Sequence, residues 1–457
     1  PPPLHAPAFL LLLVLSALLG GCLSPVEKPA PPVLHTPAGF STSVPAGQSA
    51  SPWWQDALPP ALVDQVDTLL RDNPAIRSAA QDVAAQEARL DEVEAQRWLD
   101  VEGAASSRGQ RDDGNGSDTQ RLALNARLPL DLSGRLAQTR DASAFVLAQR
   151  LAELEQVRLQ QVQDYLLAHI DAAEASQLLA LLAQQLESAS TLLRLTELRF
   201  AQGLASSVDV LQQREQLAAL RLEPNKTELR QRIASNRLTE LLGQTPDQWT
   251  GEPAALPGIA ATFAARKPAE LLQRRPDLLA RQAALAASDR RYEAALREKL
   301  PALDLDSGAL LQLASGDASR VLYIAIEASA SLFDSGRLDA RAAERRAELE
   351  RSGIEYLQAW LQAVRETEDL LHTLQAVRTQ LRLSEQRNQV ATELFEASRR
   401  RYERGVSDYL PVLAALRTLQ QQQRDHLALQ ADQLRVIVRL HSAMGLPGPA
   451  AEGKQEG

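Results

Sequence analysis

Residues 133–203 read SGRLAQTRDASAFVLAQRLAELEQVRLQQVQDYLLAHIDAAEASQLLALLAQQLESASTLLRLTELRFAQG. From Arg135 to Gln202 the stretch contains neither glycine nor proline. Nothing in it breaks a helix, and at about 1.5 Å per residue it predicts about 100 Å of helix. Leu178, Leu181, Leu182 and Leu186, then Leu192 and Leu195, fall at three- and four-residue steps that suit coiled-coil packing. A second stretch, Arg337 to Arg404, has the same length and only Gly353 interrupts it.

The two stretches belong to a duplication. Asn73-Pro74 lines up with Arg275-Pro276, Ser133-Gly134-Arg135 with Ser335-Gly336-Arg337, Phe200-Ala201-Gln202-Gly203 with Tyr402-Glu403-Arg404-Gly405, and Leu241-Leu242-Gly243 with Ala443-Met444-Gly445. Every pair stands at one and the same offset, with no gap needed between the landmarks. The repeats are read as 61–244 and 269–446, joined by a Pro/Gly-rich linker over 245–268 and followed by a tail over 447–457. Each repeat predicts a helix, a β-hairpin, a long helix and a last helix. Repeat 1 places the hairpin at 98–130 and the helices at about 62–97, 134–202 and 206–243, with Pro224 kinking the last. Repeat 2 places its hairpin at 301–333 and its later helices at 336–404 and 408–445.

The hairpins alternate. Leu122, Leu124, Ala126 and Leu128 fall on one parity, with Ala123, Asn125 and Arg127 on the other. Ile324, Ile326, Ala328 and Ala330 repeat the pattern at the offset of the duplication, against Ala325, Glu327 and Ser329. Strands of about ten residues with apolar and polar faces are the mark of a membrane β-barrel, although a small soluble sheet with one wet face alternates in the same way. Asp112-Asp113-Gly114-Asn115-Gly116 supplies a polar turn. Four strands cannot close a barrel, and an open edge in lipid leaves backbone groups unpaired. The chain is therefore expected to oligomerise.

Composition narrows the function. The 457 residues carry 49 basic and 58 acidic side chains, a net charge of −9, which argues against nucleic acid as a partner. One cysteine and six histidines at non-ligand spacings leave no metal site and no cofactor site, and no phosphate loop or nucleophile motif points to an enzyme. The apolar run Ala8–Leu19 is too short to span a bilayer and ends in Leu19-Gly20-Gly21-Cys22. That ending resembles a bacterial lipobox. It makes 1–21 a signal peptide, Cys22 the lipidated residue and 22–60 an acylated tether.

Taken together, the lipobox, Trp53-Trp54, Asn73-Pro74, Arg274-Arg275-Pro276-Asp277, both Ser-Gly-Arg helix starts and Tyr402-Glu403-Arg404-Gly405 resemble the TolC-like outer membrane factors, lipoprotein branch. The resemblance implies a mainly α fold with a membrane β-barrel. Three protomers would give a twelve-stranded barrel continued by a long α-helical barrel. It also implies a passive exit duct in the bacterial outer membrane, partnered by a periplasmic adaptor and an inner-membrane pump. The turns Gly203, Leu204, Ser206 and Gly405, Val406, Ser407 would then meet the adaptor. Asp209 and Tyr402 would form a closed-state link, with Asp408, Leu410, Pro411 and Ala414 around the aperture. The acidic ring found in relatives would fall at Pro411 and Ala414, so this aperture is expected to be apolar and weakly blocked by multivalent cations. The competing reading is an outer-membrane-anchored coiled-coil structural lipoprotein without a pore.

Overall fold

The computed structural model describes residues 28–30, 32–42, 52–112, 115–248, 251, 255–263, 267–314, 317–331 and 333–445. Cys22, the tail and the hairpin tip at 113–114 lie outside the described residues. In chain order the elements are α1 (Trp53–Ala57), α2 (Pro60–Asp72), α3 (Pro74–Ala95), β1 (Asp100–Asp112), β2 (Asn115–Leu130), α4 (Arg135–Ala201) and α5 (Ser207–Leu241). A single turn of 3-10 helix (Pro246–Gln248) follows. Then come α6 (Pro268–Arg274), α7 (Pro276–Arg297), β3 (Ala302–Ala314), β4 (Asp317–Ser329), α8 (Arg337–Glu403) and α9 (Tyr409–Met444). Pro224 sits inside α5.

The chain divides into two compact units. One gathers the described part of 1–34 with 81–152 and 279–359, which include the strands, and the other gathers 35–80, 153–278 and the described part of 360–457. In the first unit the strands form one antiparallel sheet in the order β1-β2-β3-β4. Residues paired across an antiparallel ladder point to the same face, so the register sorts the side chains. Leu124 lies opposite Gly103 and Ala309, Leu122 opposite Leu311, and Leu305 opposite both Leu128 and Ile326. With Leu322 and Ile324 these residues make one apolar face, and Leu322 is 83% exposed. The opposite face carries Asn125, Arg127, Asp304, Tyr323 and Glu327, and cross-strand bonds tie part of it together. Arg127 pairs with Asp304 at 2.5 Å, Arg121 donates to Gln312 at 3.1 Å, and the Tyr323 hydroxyl donates to Asn125 at 3.4 Å. Strands β1 and β4 have no partner on their outer edges among the described residues.

The first helix expected over 62–97 is two helices, because Pro74 cannot donate to the preceding turn. Asn73 makes the break useful. Its Oδ1 caps α3 by accepting from the N–H groups of Ala75 (2.9 Å) and Ile76 (3.2 Å), while its Nδ2 donates to the Leu241 carbonyl at 2.7 Å. In the second copy Arg275 stands at this position. It forks onto Asp277 at 3.0 and 2.9 Å and donates to the Ala443 carbonyl at 3.0 Å and to Glu366 at 2.9 Å. Two different side chains thus hold the end of the last helix at the same place in each repeat.

The expected tether is also partly structured. Trp53 and Trp54 are buried in α1, Lys28 pairs with Glu293 (2.5 Å) and Asp289 (3.2 Å), and Trp360 donates to the His35 carbonyl at 3.1 Å. Apolar bulk and one lysine outweigh the extended bias of the Pro-rich composition here.

Trp53 stacks on His441 at 4.4 Å, with Phe263 at 4.8 Å on the same imidazole. Nε2–H of His441 donates to the Ala260 carbonyl at 2.9 Å, which fixes the neutral tautomer. Burial lowers this group's pKa to about 4, from an ordinary 6.5. A base with a depressed folded pKa contributes stability in full above pH 6.5 and loses it as the pH falls toward 4, because the unfolded chain binds the proton first. The melting midpoint should therefore drop between about pH 7 and 5. His441→Phe should lessen that slope, leaving the share of His169, whose pKa burial also lowers to about 4, and an unchanged slope would remove His441 as a source.

Candidate functional site

The second unit carries the two helix turns that the sequence singles out. Both are built alike. Gly203 and Gly405 each have φ 74°, the left-handed conformation that ends a helix. Gly203 N–H donates to the Phe200 carbonyl at 2.9 Å and Leu204 N–H to Arg199 at 2.8 Å. Gly405 N–H donates to Tyr402 at 2.9 Å and Val406 N–H to Arg401 at 3.0 Å. This paired pattern is a Schellman motif, which satisfies the last carbonyls of α4 and α8 without solvent. Leu204 and Val406 follow the glycines and stay exposed.

The next helices start differently. Ser206 and Asp209 form a reciprocal capping box. The Ser206 N–H donates to the Asp209 carboxylate at 2.9 Å, and the Asp209 N–H donates to the Ser206 hydroxyl at 3.2 Å. Asp408 sits at the N-cap of α9 without a side-chain cap bond, and Ser407 donates to the Asp408 carbonyl at 3.3 Å. Leu410, Pro411 and Ala414 all fall on the exposed side of α9. Helical spacing puts the three side by side, so they form one apolar stripe.

The expected bond between Asp209 and Tyr402 is not made within the chain. Asp209 is occupied by its own helix cap, and the buried Tyr402 hydroxyl has no hydrogen-bond partner among the described residues. Tyr402 instead acts as a ring. The Arg199 guanidinium lies 4.4 Å above its centroid and donates to its carbonyl at 2.8 Å, while Tyr409 meets it edge-on at 5.8 Å. Val412, Leu413, Leu416, Phe395 and Leu192 complete this core.

Tyr409 is the tyrosine that is hydrogen-bonded. Its hydroxyl donates to the fully buried Gln213, whose amide donates to the Ala189 carbonyl at 2.8 Å. Burial pushes the Tyr409 phenol well above its usual range, so it remains a donor throughout the physiological range. Arg199, Tyr409 and Gln213 carry no motif. The available signal was Tyr402 and Tyr409 flanking one turn in a chain with only six tyrosines.

These contacts separate the two tyrosines. Tyr402→Phe should change stability by less than about 0.5 kcal/mol, since it removes a hydroxyl that bonds to nothing. Tyr409→Phe should cost about 1–3 kcal/mol, because it leaves the buried Gln213 acceptor unpaired. Equal melting shifts for both variants would contradict the assigned bonds.

Comparison with known proteins places this architecture. The family model described as outer membrane efflux protein matches residues 66–244 and 268–446, one match on each repeat. The chain is 28% identical to the pyoverdine export outer membrane protein OpmQ of Pseudomonas putida, over 96% of this chain and 97% of that protein. It is 27% identical to the outer membrane protein OprJ of Pseudomonas aeruginosa, over 91% of each. Its fold superimposes on the outer-membrane channel OprN with a TM-score of 0.83 at 24% identity, covering 91% of this chain and 98% of that one. The open-state MtrE outer membrane channel of Neisseria gonorrhoeae gives 0.82 at 17% identity, covering 93% and 98%. With both repeats matched, full-length relatives and a shared channel fold, the chain belongs to the outer membrane efflux protein family.

Proposed function

We propose that this outer-membrane efflux protein is the passive exit duct of a tripartite export system and works as a homotrimer. The observation that carries the proposal is the sheet, with one exposed apolar face, one hydrogen-bonded polar face and two open edges on β1 and β4. In lipid, each unpaired backbone group on those edges would cost several kcal/mol. Pairing β4 of one copy with β1 of the next satisfies them, and three copies give the twelve strands of a closed barrel with its polar face toward water. The two Schellman turns are then the docking tips for a periplasmic adaptor, through Gly203, Leu204, Ser206, Gly405, Val406 and Ser407. An inner-membrane pump supplies the energy.

In this reading the apolar stripe of Leu410, Pro411 and Ala414 narrows the periplasmic aperture, flanked by Asp408 and Asp209. The packing of Arg199 and Tyr409 on Tyr402 holds the second turn in place. The purified protein should give discrete conductance steps in a planar bilayer. An elongated monomer on sizing, with no steps, would instead favour the structural lipoprotein.

Cys22 is the acyl anchor of this duct. Cys22→Ser should abolish fatty-acid labelling, while the barrel still retains the protein in the outer membrane. Acyl chains add about 0.8 kcal/mol per buried CH₂, and the barrel's own insertion does not depend on them. An unlabelled wild-type protein would overturn the assignment.

A further inference from the structure

The first unit contains a cleft that the fold and the turns do not use. Its helices are joined in the order α3, α4, α7, α8. Gln86 donates to the Ser143 hydroxyl at 3.2 Å, Arg290 to Gln138 at 3.3 Å, and the Ser288 and Ser352 hydroxyls meet at 2.9 Å. A cavity of 740 Å³ is lined by residues from all four helices, so it lies on the hollow side of this row. On α7 it takes Arg291, Ala294 and Ala295, whereas Lys28 pairs with Asp289 and Glu293 on the opposite side of the same helix.

Six arginines line the cleft: Arg89, Arg135, Arg150, Arg291, Arg341 and Arg345. Glu92 and Glu298 are its acidic residues, which leaves a net four positive charges in a chain whose total is −9. Arg341 is paired with Glu298 at 2.5 Å and Arg345 with Glu348 at 2.6 Å. Arg89, Arg135 and Arg291 have no side-chain partner among the described residues.

We propose that this cleft is a binding site for multivalent anions, meaning molecules that carry two or more phosphate, sulfonate or carboxylate groups. Several guanidinium forks in one concavity can hold more than one anionic group of such a ligand at once, which an isolated surface arginine cannot. The walls of a cleft also focus the field of like charges, which concentrates anions against the long-range repulsion of an acidic protein. Three copies facing one lumen would make a basic collar just below the sheet, and the duct would favour anionic cargo there. The collar rests on the duct reading; the anion site in each chain does not.

Pyrophosphate is a suitable probe. The full-length protein, purified in neutral detergent at about 50 mM salt, where screening is weak, should bind it saturably by calorimetry. The double variant Arg89→Gln with Arg291→Gln should weaken binding at least tenfold. Arg382→Gln, an exposed arginine outside the cleft, should not. Absence of saturable binding by the unaltered protein, or equal affinity in the double variant, overturns the site. In planar bilayers under a salt gradient, the double variant should shift the reversal potential toward cations. Conductance without pyrophosphate binding would sink the anion site and leave the duct standing. Binding without conductance would do the reverse.

Discussion

Gly445→Ala should destabilise the protein by about 2–5 kcal/mol, one of the two largest single-residue effects expected. Gly445 has φ 80°, which costs a residue with a Cβ about 1–2 kcal/mol. The added carbon would lie 2.6 Å from the Arg274 carbonyl carbon and closer still to its oxygen, and both are backbone atoms that a rotamer change cannot move. Overpacking of this kind costs about 1–3 kcal/mol more. Gly243 occupies the same place in the first repeat, with the Asp72 carbonyl oxygen 2.8 Å from where its Cβ would be, so Gly243→Ala should behave alike with a smaller penalty. Gly353→Ala is the internal contrast. It sits inside helix α8 with Pro32 no closer than 3.7 Å, and should stabilise by about 0.5–1 kcal/mol. Thermal melts of the three variants check the order, and a neutral Gly445→Ala would mean that the close approach to Arg274 is absent.

The second large effect lies in the sheet. Leu124→Arg should prevent assembly of the barrel, whereas Asn125→Arg should be tolerated. Leu124 shares its face with Leu311, Leu322 and Ile324, and an arginine facing lipid near the bilayer midplane costs about 2–4 kcal/mol in each copy. Asn125 faces the side that already carries Arg127 and Arg121, where another cation meets water and the carboxylates of Asp304 and Glu327. The fraction of heat-resistant oligomer recovered from membranes distinguishes the two. Equal recovery would mean that the apolar face is not the lipid face.

Much of this molecule is local in origin and could be read from the chain. A long run without glycine or proline has no means of ending a helix, and α4 and α8 extend over Arg135–Ala201 and Arg337–Glu403 accordingly. Gly203 and Gly405 mark the turns because only a residue without a Cβ adopts their backbone at no cost. Strict alternation fixed which hairpin side chains share a face, since a strand has period two, and β-pairing kept that parity across all four strands. Duplication shows as a constant offset because the same local signals recur in the same order.

What the sequence left open depends on contacts between distant segments. Nothing local distinguishes Tyr402 from Tyr409, and only the packing of α4 and α5 against α8 and α9 decides which hydroxyl meets Gln213 and which ring meets Arg199. Asp209 could serve a helix cap or a partner tyrosine, and the neighbouring Ser206 takes it because the cap costs no chain closure. Asn73 and Arg275 look unrelated as residues, yet both donate to the last carbonyls of their repeat. The six arginines of the cleft are scattered along the chain from Arg89 to Arg345 and form no motif. Helix order alone brings them together, because charge density is a property of the folded surface and not of the sequence written in line.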